Sequence, residues 1–349
     1  MLAPPARASR FSAPRAVGNP IARGGPSCFG GRCSPVPPLL ESATRDLPPD
    51  PLVDPAESSS ARRLAWLAAA PDGAPLGSAF LRLFTSPEQA HLGELSLDVH
   101  PAERRRGVGS ALLAAALATA RTEGRRALLA RAVEGSPGGA FLSDRGFEPA
   151  LVLDFARLDL ATGRTAQGTA ADPVDPASHG TGPAAELPSG YRLVSWVGHC
   201  PAEWLPAFTR SRTAMDDVPM GDTGFGQVVW DEARVLSAAR AVAARGELLH
   251  TVAVAEEATG DLVGFSELVL PADRCGDAQH YGTAVRPDHR RRGLARAMKA
   301  EAIRWTRAEH PGITGLLTDT AEHNTGMLAV NRALGYRSTH RCVEFRLPL

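Results

Sequence analysis

Residues 64–69 are wholly apolar and five of the seven residues over 78–84 are apolar, on either side of the turn Pro71-Asp72-Gly73, while apolar and polar positions alternate along the later part of 92–99. These short runs, bounded by turn residues, predict three strands. Residues 107–122 are rich in Ala and Leu, strong helix formers, and predict a helix. A strand over 126–132, a short helix ending near Gly146 and strand material over 147–159 follow. From 161 to 190 the periodicity dissolves into Gly, Pro, Ala, Thr and Asp, which reads as a linker and a domain boundary. The second half predicts a strand over 191–197, helices over 202–215 and 231–245, and a hairpin of 249–256 and 261–270. A strand over 279–285, a helix over 293–308, a strand over 314–318, a helix over 325–334 and closing strands over 336–347 complete it. Hairpin-connected strands followed by strands alternating with helices predict an α/β fold, a mixed and mostly antiparallel sheet with helices on both faces. The expected organisation is an arm over 1–45, a domain over 46–160, a linker over 161–189 and a second domain over 190–349. The first domain has no counterpart to the helix pair at 202–245.

Composition narrows the picture. At 349 residues the chain is long enough for two cores. Lys+Arg and Asp+Glu both number 38, a balance that argues against a nucleic-acid-binding surface. No apolar run reaches membrane-spanning length, and no compact apolar segment follows the N-terminal arginines, so the expectation is a cytoplasmic protein. Residues 1–40 hold eight prolines, five arginines and no acid, too little apolar surface to offset ordering. Cys28 and Cys33 form the one close thiol pair, and no His or Cys pair nearby completes a metal site, so no metal is expected.

One signal occurs twice. Residues 99–109 read VHPAERRRGVG and residues 285–295 read VRPDHRRRGLA, each between a strand and a helix. The unpartnered N–H groups of such a helix start, with the helix dipole, can hold a phosphate, and a glycine lets the backbone approach it. Flanking arginines add charge-assisted contacts. Alone the motif is also compatible with a solvated arginine cluster. It lacks the Gly-Lys-Ser/Thr of a nucleoside-triphosphate loop and the Gly-x-Gly-x-x-Gly of a dinucleotide turn.

A second signal follows in the latter half: Asn324-Thr325-Gly326-Met327-Leu328-Ala329-Val330-Asn331, then Leu334-Gly335-Tyr336. Here the chain resembles the GCN5-related N-acetyltransferase (GNAT) superfamily, well over roughly 190–349 and more loosely over 62–159. The resemblance implies two tandem acyl-CoA N-acyltransferase domains, with acetyl-CoA as cosubstrate and an amine as acceptor. It extends to tandem actinobacterial-type acetyltransferases, a group that includes mycothiol synthase. In the superfamily an Arg/Gln-x-x-Gly-x-Gly/Ala turn binds the acetyl-CoA pyrophosphate. Arg290, Gly293 and Ala295 match it, with Arg291, Arg292 and Leu294 between them; Arg104, Gly107 and Gly109 match it in the first copy. The strands before the turns end at Val285 and Val99, whose backbone is expected to meet the pantetheine arm. Asn324 matches the polar residue that starts the later helix beside the cofactor. In the first copy the same alignment places Gly135 at the Asn324 position and Leu142 at the Asn331 position. Activity is therefore expected in the second domain.

The implied reaction is direct transfer of an acetyl group to a primary amine, with release of coenzyme A. Relatives use a Glu on the strand before the turn as base. Here Gln279-His280-Tyr281-Gly282-Thr283 offers no carboxylate, so His280 and Tyr281 are candidates, with Glu267 on the preceding strand; in the first copy the strand carries Glu94. Relatives use a Tyr in the later helix as acid, where this chain has Asn331. Asp216, Asp217 and Asp222 are candidates for attracting a cationic acceptor, near the apolar Val218, Pro219, Met220 and Phe225. The acceptor is expected to be a small-molecule amine, with a protein N-terminus or lysine, or a non-catalytic acyl-CoA-binding module, as alternatives. A monomer or a homodimer is expected.

Overall fold

The computed structural model describes residues 45–47, 61–160 and 187–349, except 218 and 227. The arm expected over 1–45 lies outside the described residues apart from Arg45, as do Cys28, Cys33, Val218 and the linker up to 186. In chain order the elements of the first half are β1 Arg45–Leu47, β2 Ala61–Ala69, β3 Pro75–Phe84, β4 Leu92–Val99, α1 Val108–Thr122, β5 Ala127–Val133, α2 Pro137–Ser143 and β6 Glu148–Asp159. The second half has β7 Tyr191–Val197, α3 Leu205–Ser211, α4 Glu232–Ala244, β8 Leu248–Glu256, β9 Leu262–Leu270, β10 Gly276–Val285, α5 Leu294–Glu309, β11 Ile313–Ala321, α6 Thr325–Ala333 and β12 Arg337–Pro348. The helix expected over 202–215 is shorter, with 212–215 wound as a 3-10 turn.

The twelve strands among the described residues form one sheet in the order β1-β2-β3-β4-β5-β12-β6-β11-β10-β9-β8-β7. The order contains a reciprocal exchange. β6, which the sequence assigns to the first half, pairs with β11 and β12 of the second. β12, the last strand of the chain, pairs with β5 and β6 of the first half. Each half thus ends with a strand that completes the other half's edge, and β6 and β12 lie antiparallel at the seam. Two interlocked halves share one sheet, where local periodicity suggested two side by side.

One face, here the back, carries α1 and α5. Leu112, Leu113 and Ala116 of α1 pack on Leu64, Leu81 and Leu95, with Val343 and Phe345 of the exchanged β12 in the same cluster. Leu294, Met298 and Ile303 of α5 pack on Val252, Leu268 and Leu316, with Ala156 and Leu158 of the exchanged β6. Burying each large aliphatic side chain contributes about 1.5–3 kcal/mol, so both exchanged strands are bound firmly into their host cores.

The front face differs between the halves. In the second half α3 and α4 cover it, with Phe208 edge-on to both Trp196 and Phe265. In the first half no helix covers it among the described residues; a segment of the second half does so instead. Phe225 sits edge-on to Phe84 at 5.1 Å, in a cluster with Leu92, Ala127 and Leu129. Gly221 fixes the docking of that segment. Its φ is +54°, and a β-carbon there would collide with the Ala150 carbonyl oxygen on β6.

Candidate functional site

The two arginine–glycine turns have nearly the same backbone. Each begins with a 3-10 turn, Pro101–Glu103 or Pro287–His289. Arg105 and Arg291 then take φ of 63° and 62°, and Gly107 and Gly293 take φ of 86° and 79° as the residues preceding α1 and α5. Neither helix start has a side-chain cap. Its first amides remain available to an anion, aligned with the positive end of the helix dipole. A β-carbon at either glycine meets nothing within 4 Å, so the approach is open. The residues fit a pyrophosphate in both copies.

The arginines divide between framework and surface. Arg290 Nε donates to the Val285 carbonyl at 2.9 Å and its Nη2 to Asp217 Oδ2 at 2.9 Å. Arg104 repeats the first bond, Nε to the Val99 carbonyl at 3.3 Å. Arg292 Nη1 donates to the Tyr191 hydroxyl at 2.7 Å. Arg291 is exposed, and so is Arg105.

Beyond the turn the sheet opens. β10 pairs with parallel β11 from Gly276–Ile313 to Gln279–Leu317 and no further, while its pairing with β9 runs on to Val285. The Arg286 amide bonds β9 at Val263. The alternation of an antiparallel ladder therefore turns the Val285 amide away from β9, toward the opening between β10 and β11. Ala295 follows on α5, and Asn324 caps α6, accepting from the Met327 amide at 3.2 Å. Asn331 is buried on α6, where its Nδ2 donates to Thr320 Oγ1 at 3.1 Å and its Oδ1 is buried without a partner. The first half has an equivalent cap that sequence alignment misplaced by one residue. Ser136, not Gly135, starts α2 and accepts from the Gly139 amide at 3.2 Å.

The candidates for handling the acceptor's proton fare differently. β10 carries a bulge between His280 and Gly282 that β4 lacks. A bulge of one residue shifts side-chain phase. His280 consequently occupies the place of the core residue Leu95, and Gln279 that of Glu94. The His280 ring lies buried on the back face, with Nε2 2.8 Å from the Tyr336 hydroxyl. Burial pushes its pKa well below the usual histidine value, and the charge of Lys299 adds to this. That placement does not suit contact with an acceptor amine on the front. Glu267 is also corrected: it is buried and held by both terminal nitrogens of Arg212, itself stacked near Phe208, Trp230 and Phe265. A carboxylate so fully paired is a structural anion rather than a base. Tyr281 does face the front, partly exposed, accepting from Arg245 at 3.0 Å.

The three acceptor-loop acids separate. Asp216 and Asp217 are exposed beside the site, with Asp217 tied to the cofactor turn through Arg290. Asp222 lies in the segment docked on β6 and β12 instead. Two residues that sequence reasoning missed are here. Lys299 of α5 is buried with its Nζ 4.7 Å from the Tyr336 ring centroid, and burial lowers its pKa to about 7. Asp319 lies on β11, two residues beyond the last β10–β11 rung and, by the alternation, on the front face. An acid within the run Leu316-Leu317-Thr318-Asp319-Thr320 was the available signal. Among the described residues no group of three His, Cys, Asp or Glu is placed to hold a metal, and no helix is long and apolar enough to cross a membrane.

Comparison with known proteins agrees with this geometry. An aminoglycoside N(6')-acetyltransferase type 1 from Stenotrophomonas maltophilia is 33% identical over 116 residues, covering 30% of this chain and 74% of that protein. A tandem GNAT protein from the clavulanic acid biosynthesis pathway superposes with a TM-score of 0.64 at 25% identity, over 83% of each chain. A GCN5-related N-acetyltransferase from Sphaerobacter thermophilus superposes with a TM-score of 0.58 at 18% identity, over 81% of this chain and 80% of that one. Residues 37–147 and 224–336 each match the acetyltransferase (GNAT) family, and the chain belongs to that family as a tandem pair of its domains.

Proposed function

We propose that the second half transfers an acetyl group directly from acetyl-CoA to a primary amine of a small molecule. The observation that carries the reading is the uncapped start of α5 behind Gly293, set at the mouth of the opening between β10 and β11. The amides of the turn would hold the pyrophosphate, and the Val285 amide would hydrogen-bond along the pantetheine or to the acyl oxygen. Acetyl-CoA supplies an activated acyl group; the protein aligns the amine with it and handles the protons. Asn331 has no dissociable proton to give, so its role would be to orient a neighbouring group or water. The named activity of the Stenotrophomonas relative supports a small amine as acceptor.

The first half reads as a diverged partner. Its turn is formed, but α2 docks directly on the start of α1. Arg145 donates to Ser110 at 2.6 Å, and the Phe141 ring lies over the space beside Gly109. On its front face Arg131 is paired with Glu344 at 3.2 Å.

Gly293→Glu places a carboxylate where the pyrophosphate would sit. It is expected to abolish acetyl-CoA binding and coenzyme A release in the presence of amines. Gly107→Glu is expected to lower turnover by less than about tenfold, a cost below roughly 1.4 kcal/mol. Loss of turnover in the Gly107 variant alone would reverse the assignment of the active half.

A further inference from the structure

The seam between the exchanged strands relates the two halves by an approximate twofold, and the relation fails at one informative place. Counting back from the caps of α2 and α6, and allowing for the bulges in β10 and β11, Arg131 on β5 corresponds to Asp319 on β11. Each faces front, and each has a cross-strand neighbour on the exchanged strand beside it. Arg131 neighbours Glu344 of β12, and the two form an ion pair. Asp319 neighbours Phe155 of β6. The first half therefore neutralises its charge at this position locally, while the second half sets a carboxylate beside an aromatic ring. Phe155 is stacked on His340 with centroids 4.7 Å apart, and the Arg131 guanidinium lies 6.0 Å from the Phe155 ring. The register puts Asp319 across the opening from Tyr281 and Gly282, where the acyl group would emerge on the front face.

We propose that Asp319 is the catalytic base of the second half, taking the proton that the attacking nitrogen of a small-molecule amine sheds as it bonds to the acetyl carbon, with the acceptor seated beside Phe155 at the strand seam. The proposal rests on the acetyl-transfer reading above. The amine nitrogen, delivered unprotonated, forms its bond to the acetyl carbon and loses a proton to the Asp319 carboxylate. The carbon–sulfur bond breaks, its electron pair leaves on sulfur, and the sulfur takes up a proton from solvent. Asp319 returns its own proton to solvent, so charge and protons balance. The Asp319 side chain is exposed on the front face, yet surrounded by enough protein to disfavour its charge. Burial raises its pKa above the usual carboxylate value, opposed by the charges of Arg131 and Lys299. A base whose pKa is raised toward the working pH is a stronger proton acceptor. Other titratable and charged groups on this part of the sheet include Glu344, which acts electrostatically with Asp319 and Arg131, Glu94, which acts on Arg131 and Glu344, His340 stacked on Phe155, and the Arg157–Asp277 pair, bonded at 2.7 and 2.9 Å. Cys342 of β12 also senses Asp319.

The test measures coenzyme A release from acetyl-CoA by the full chain, first over kanamycin, glucosamine and spermidine as acceptor probes, then as a pH profile with whichever probe the wild type acetylates. Asp319→Asn is expected to bind acetyl-CoA as the wild type does, to lose at least about 100-fold in kcat, and to lose the acid limb of the profile. Arg131→Met removes the opposing cation and is expected to move that limb to higher pH. An Asp319→Asn enzyme that keeps both its rate and its acid limb overturns the proposal and leaves acetyl transfer standing. So does an Arg131→Met enzyme with an unmoved limb. A wild type that binds acetyl-CoA but acetylates none of the probes overturns both readings.

Discussion

Lys299 shows how far a single side chain can run against its surroundings. It points from α5 into the core under Tyr336, and the acid that acts on it, Asp319, is on the opposite face of the sheet. An unfolded lysine titrates near 10.4, and this one titrates near 7 in the folded chain. Between those values the unfolded chain holds more protons than the folded one, so stability rises with pH from about 7 upward. Below about 7 both states carry the charge, and the full penalty for burying it applies. Lys299→Met is therefore expected to stabilise the protein at pH 6 by on the order of 3 kcal/mol and to remove the slope between pH 7 and 10. Urea midpoints at pH 6, 8 and 9.5 check this; a variant less stable than wild type at pH 6 contradicts it. The turn residues were legible as sequence because they form a contiguous motif with local backbone demands. Asp319 and the burial of His280 were not, because each depends on strand phase, which the bulge at Tyr281 and the β11 irregularity near Thr314 reset without any local signature.

At the scale of elements, most strands and helices were legible from their periodicity, since a two-residue or 3.6-residue repeat is a local property. Pairing was not. β6 and β12 carry ordinary alternating patterns, and nothing in those patterns states which half they complete. The replacement of a helix pair by the docked segment around Phe225 was equally hidden, because the apolar Pro219, Met220 and Phe225 read as part of an acceptor loop. Gly221→Ala tests that docking. The added carbon collides with the Ala150 backbone on β6, and the positive φ disfavours it further. The expected loss is about 2 kcal/mol or more, read as a lower urea midpoint, together with quicker proteolysis of the 218–230 loop. An unchanged midpoint would mean the segment contributes little to the first half's front face.

At the scale of the whole molecule, the exchange makes the two halves one folding unit. Pairs such as Ala132–Val343 join residues more than two hundred positions apart. Such pairs form slowly, because a long loop must close before they contribute. Neither half can complete its sheet while the other is absent. Because the two halves belong to one chain, each closing strand meets its host edge at a local concentration set by covalent connection. Within one chain that concentration is fixed at the millimolar order typical of tethered partners, however dilute the protein. Cutting the chain between residues 161 and 186 would turn an intramolecular closure into a bimolecular one. The two fragments are expected to be insoluble or unfolded apart, to reassemble when mixed, and to melt at a temperature that rises with their concentration, whereas the intact chain melts at a temperature independent of it. Fragments that fold separately would show that the exchanged strands are dispensable. If they do not, covalent continuity is itself a stabilising element of this enzyme, supplying as connectivity what a homodimer would have to obtain by mass action.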